Sequence, residues 1–160
     1  YYVVRPCVNL AGMGAGASVK WLNNTPVDAW AIPPGYFWQE QFTGTHLSID
    51  YKNGRQIRCT EGVRHGDDLT KFHHWFITDE RPQLPQVVQN IVDKYPYVNV
   101  EMIGGNIIEV HLRGNPDFAD GAIEIIPVWR HEKFQSPPEG FEFVPAPDFD
   151  RLGFFKRYKP

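Results

Sequence analysis

Residues 97–118, YVNVEMIGGNIIEVHLRGNPDF, decide how this chain is read. Val98, Val100 and Met102 alternate with Asn99, Glu101 and Ile103, and after Gly104-Gly105-Asn106 the residues Ile108, Val110 and Leu112 alternate with Glu109, His111 and Arg113. Period-two patterning on both sides of a glycine turn predicts a β-hairpin. Side chains two apart on a strand share a face, so Glu109, His111 and Arg113 project together, and antiparallel pairing about the turn brings Glu101 beside them. One face is then apolar, and the other carries two acids, an imidazole and a guanidinium. Neighbouring carboxylates repel unless a cation sits between them. The plain alternative is the solvated outer face of an ordinary hairpin, its charges joined in a surface salt bridge.

Working outward, the chain begins with a strand pattern, Tyr1-Tyr2-Val3-Val4-Arg5-Pro6, followed by a loop with glycines at 12, 14 and 16 and a second strand pattern, Ser18-Val19-Lys20-Trp21-Leu22. Gly12, Gly14 and Gly16 allow backbone conformations closed to other residues and let amide hydrogens approach a phosphate. The spacing fits neither a P-loop nor a dinucleotide-binding fingerprint. A flexible turn of small residues is the competing reading, and Arg5 just upstream, with fixed donors suited to phosphate oxygens, favours the grip.

With a third segment, Gln39-Glu40-Gln41-Phe42-Thr43-Gly44-Thr45-His46-Leu47-Ser48-Ile49-Asp50, the three pieces in order resemble the nucleotide-binding half of the ATP-grasp superfamily of ATP-dependent carboxylate ligases. The segment is similar to that family's Q-E-x-aromatic/aliphatic-x-G-x-E-x-S-V-D stretch, and Glu109-Val110-His111-Leu112-Arg113 is similar to its E-x-N-x-R pattern. The likeness runs from residue 1 to about residue 118. It implies ATP as cofactor with Mg2+ or Mn2+, and small-molecule substrates, a carboxylate and a nucleophile. It further implies Arg5, Gly12, Gly14 and Gly16 at the phosphates, Glu40, Gln41 and Phe42 at adenine, and His46 at the ribose. Glu101, Glu109 and His111 would hold the metal, and Arg113 would be the catalytic residue that steadies the acylphosphate. Three positions depart from the family pattern: Arg5 stands for a lysine, His46 for an acid and His111 for an asparagine. A hard ion such as magnesium prefers oxygen ligands, so His111 implies a different metal, an outer role for the ring, or a descendant that binds without turnover.

Length and charge bound the same reading. The 160 residues, with 42% hydrophobic content, suffice for a single core. The net charge of −3 gives no basic footprint for nucleic acid, and no apolar run approaches a membrane span. The family's enzymes resemble something about twice this long, so a preceding lobe or an oligomer partner is expected. Cys7 and Cys59 make neither a metal pair nor a disulfide framework, which with the resemblance favours a reducing cytoplasm. His65, Asp67, Asp68, His73 and His74 lack the spacing of a paired zinc site.

In 84–95, LPQVVQNIVDKY, apolar residues recur at three-and-four spacing, predicting an amphipathic helix closed by Pro96. Residues 122–129 predict a further strand with a bulge or edge proline at Pro127. The expected fold is α+β: a mainly antiparallel sheet of five to seven strands with few helices, an ATP-grasp-like lobe. Residues 1–130 are expected to form its nucleotide- and metal-binding domain, and residues 131–160, rich in proline and aromatic rings, an extended arm.

Overall fold

The computed structural model describes residues 1–8, 16–21, 32–64, 69, 71–132, 136–148 and 150–159. Antiparallel strands dominate, with one α-helix among the described residues. The chain divides into two compact units, 1–43 with 64–71, and 44–63 with 72–160.

The first unit holds β1 (Tyr2–Pro6), β2 (Ser18–Lys20) and β3 (Tyr36–Glu40) in the order β2-β1-β3. Val3 pairs with Val19 on one side and with Gln39 on the other, so β1 is the centre of this small sheet. Val4 is buried there. Aromatic edges finish the packing, Tyr1 against Trp21 and Tyr2 against Trp38.

The second unit is built on an eight-stranded antiparallel sheet in the order β10-β11-β9-β6-β5-β4-β7-β8. Its strands are β4 (His46–Lys52), β5 (Arg55–Arg64), β6 (Phe72–Thr78), β7 (Tyr97–Ile103), β8 (Asn106–His111), β9 (Ala122–Trp129), β10 (Glu142–Asp148) and β11 (Arg151–Tyr158). The helix α1 (Gln86–Lys94) lies between β6 and β7 in the chain, entered from Pro85 and ended at Tyr95. Pro85 is a sound first partner because a proline's missing N–H is one the helix start leaves unbonded anyway. Val88 and Val92 of α1 pack on Ile49, Tyr51, Cys59, Val98, Val100 and Met102 of the sheet. This apolar face takes every second residue of β4 and β7. The residues between them, His46, Ser48, Asp50, Asn99 and Glu101, therefore point the other way.

Three features differ from the sequence reading. The hairpin turns at Gly104 and Gly105, both at positive φ, and Ile103 faces Asn106 as a two-residue loop requires. Beyond it the pairing slips: Glu101 faces Glu109 and Met102 faces Ile107, which leaves Ile108 as a bulge. Ile107 and Val110, and not Ile108, consequently meet the apolar cluster, while Leu112 is exposed. Secondly, residues 131–160 are not an arm outside the sheet: β11 pairs along β9, and β10 pairs with β11 at the sheet's end. Pro145 and Pro147, which obscured the strand pattern, sit on that terminal strand, where a missing N–H breaks no second ladder. The compact units accordingly do not divide at residue 130. Thirdly, Pro127 lies inside the sheet on β9, two residues past the Trp75–Ile125 pair with β6.

Candidate metal centre

Register alone sets Glu101 of β7 directly opposite Glu109 of β8, and His111 opposite Asn99. On the face away from α1, a carboxylate oxygen from each of Glu101 and Glu109 and a nitrogen of His111 all lie within 4.8 Å of one another. The His111 Nε2 is 3.0 Å from Glu109 Oε2 and 3.9 Å from Glu101 Oε1. The other oxygen of Glu101, Oε2, is 3.4 Å from Nε2 of His46 on the neighbouring strand β4. Four side chains thus form a chain, His46, Glu101, His111 and Glu109, in which acid and imidazole alternate. Burial pushes the Glu101 carboxyl up, but the hydrogen bond and charge of His46, with His111 and Arg113, outweigh it and hold the group below the usual carboxylate range. Glu101 is therefore an anion at neutral pH. Two carboxylates and an imidazole suit a divalent cation that accepts both oxygen and nitrogen.

Beside this chain runs a buried polar network. Asn99 donates through Nδ2 to Ser48 Oγ at 2.9 Å and to Asp50 Oδ1 at 2.9 Å. Asp50, 2% exposed, also accepts from the Asn115 backbone N–H at 2.8 Å and from Arg58 Nε at 2.9 Å. Arg58 reaches on to the backbone carbonyl of Phe118. The segment after β8 is thereby strapped over the polar face: Asn115 is bound to β4, its side chain accepts the N–H of Asp117, and a 3-10 turn spans Pro116–Phe118. Lys156 of β11 ties down the far side, donating to the Asp117 carbonyl and to Asp120. A buried charge keeps its stability only when every lone pair is used, and Asp50 meets that condition.

The remaining candidates fall as follows. Arg5 stands on β1 with its guanidinium 5.7 Å from the centre of the Phe37 ring. Gly16, at φ +86°, precedes β2, while Gly12 and Gly14 lie outside the described residues. Glu40 ends β3 opposite Tyr2, Gln41 donates its backbone N–H to the Tyr1 carbonyl, and Phe42 is half-buried. Arg5, Gly16, Glu40, Gln41 and Phe42 belong to the first unit, and His46, Glu101, Glu109, His111 and Arg113 to the second. Arg113 lies past the end of β8 and is exposed, donating to the carbonyl of Gly114 at 3.1 Å. It does not extend the row of Glu109 and His111 along the ladder. Ser48, Asp50, Arg58, Asn99 and Asn115 were not assigned to the site from the sequence; the signal was the polar residue at every second position of 46–50.

Comparison with protein-family models and with curated proteins finds no match for this chain. No helix among the described residues is long and apolar enough to cross a membrane.

Proposed function

We propose that this chain binds ATP with a divalent cation and activates a small carboxylate, as an ATP-grasp-like ligase domain of the cytoplasm. The observation that carries the reading is the convergence of Glu101, Glu109 and His111 on adjacent, register-paired strands. In the reaction, a substrate carboxylate oxygen attacks the γ-phosphorus of ATP. The new O–P bond forms as the bond from the β,γ-bridging oxygen breaks, and ADP leaves with that electron pair. A nucleophile such as an amine then attacks the acyl carbon and displaces phosphate. The bound cation supplies charge neutralisation at the phosphates. Glu101 and Glu109 would hold it, and Arg113 meets the charge that develops on the transferring group. The free thiols Cys7 and Cys59 agree with a reducing compartment.

Titration calorimetry with ATP, with and without Mg2+ or Mn2+, tests this. Binding that requires the cation and is lost in Glu109→Ala is the expected result; equal binding by parent and variant removes the metal assignment.

A second reading is a binding protein without turnover. The observation in its favour is that imidazoles, His46 and His111, flank Glu101. Release of ADP with any one pair of acid and nucleophile ends it.

A further inference from the structure

The ring of His46 is 6% exposed, set edge-on against Phe72 at 4.9 Å and against Trp75 at 5.3 Å. Such a box suits an apolar side chain. Yet it holds an imidazole whose Nδ1 has no hydrogen-bond partner and whose Nε2 is directed at Glu101. Burying a polar atom without a partner is unfavourable, so the ring's one polar contact has to offset that cost. The contact falls on Glu101 Oε2 and leaves Oε1 on the side of His111, 3.9 Å from its Nε2. A carboxylate held through one oxygen presents the other in a fixed direction, which is how outer partners orient metal ligands.

The donor set itself discriminates among ions. Mg2+ demands near-octahedral oxygen coordination and dehydrates reluctantly, whereas manganese, cobalt and zinc accept imidazole. We propose that the Glu101–Glu109–His111 centre selects divalent transition cations over magnesium, and that His46 is the positioning residue that aims Glu101 at the ion. This rests on the metal assignment of the proposed function, but not on ATP.

The test uses the whole chain without nucleotide, titrated with Co2+ and followed by its visible absorption, with Mg2+ as competitor. The parent binds one Co2+, and a tenfold excess of Mg2+ leaves the band in place. His46→Leu, which fills the aromatic box but has no donor, weakens Co2+ binding roughly 10- to 100-fold, the usual cost of losing such a partner. His46→Gln, which restores an N–H near the Nε2 position, recovers most of the affinity and the parent's band. Should His46→Leu fail to fold, His46→Asn, too short to reach Glu101, gives the same comparison. Displacement of Co2+ by an equal concentration of Mg2+ overturns the inference, as does parental affinity in the Leu or Asn variant. A parent that binds no Co2+ but binds ATP with Mg2+ overturns this inference alone. A selective Co2+ site in a chain that binds no ATP upholds it while the ligase reading falls.

Discussion

Single residues differ most in how much of their chemistry the neighbours permit. Burial, with the charges of Glu80, Glu61 and Asp50, pushes the Cys59 thiol up to about 12, whereas Cys7 is exposed. Thiolate is the reactive form. A disulfide reagent at pH 8 should therefore label one thiol in the native chain and two after denaturation, and rapid labelling of both native thiols would show that the core around Cys59 opens. Arg113 carries a second prediction. Being exposed and bonded only to its own loop in the contacts described, it adds little to stability, about 1 kcal/mol at most. Arg113→Ala should leave ATP affinity within a few-fold and remove most phosphoryl transfer. Unchanged turnover with a lowered melting temperature would reject a catalytic role. The acids of the hairpin were legible from the sequence because alternation on either side of the glycine turn put them on one face, although it is the bulge at Ile108 that sets Glu109 opposite Glu101. Arg113 was not: nothing in the alternation says that the strand stops at His111, where the Gly114-Asn115-Pro116 break follows.

Strands β5 and β6 meet tightly at Gly62 of β5. A β-carbon there would stand 2.7 Å from the Trp75 ring, a carbon–carbon approach that side chains do not tolerate. Trp75 in turn backs His46. Gly62→Ala should destabilise the fold by roughly 1–3 kcal/mol, as overpacking does, and should perturb Trp fluorescence. A melting temperature equal to the parent's would mean that the ring has room to move. The helix α1 was readable from its three-and-four spacing, since Val88 and Val92 follow from the periodicity alone. The polar network was not, because Asn99 meets Ser48 across 51 residues of chain and Asn115 meets Ser48 across 67. Local patterning cannot report which strand becomes β7's neighbour. The β10–β11 hairpin was hidden for a different reason, its prolines suppressing a strand signal that an edge position permits.

At the scale of the whole second unit, strands from both ends of its sequence join one sheet, and Asp120 fastens the last of them, accepting from Lys156 and Tyr158 of β11. Burial pushes its carboxyl up, but Lys156, the Ala122 N–H and Tyr158 together outweigh it and leave the group below the ordinary range. A depressed folded value means that its stabilisation is complete above the unfolded carboxylate pKa and is lost as pH falls through the folded one. Asp120→Asn should flatten the acid side of the stability profile and also remove the partner that, after burial, holds Tyr158 up at about 12. Melting curves from pH 2 to 7 that fall as steeply in the variant as in the parent would count against this fastening. The bulge at Ile108 bears on the molecule differently. Because Met102 already faces Ile107 and Glu101 already faces Glu109, the residue between them can be removed without turning any other side chain to the opposite surface. The acids are thus insulated from this point: loss of the residue at 108 alters the local twist and leaves the polarity of both surfaces intact, so the bulge can close while the acids stay in place.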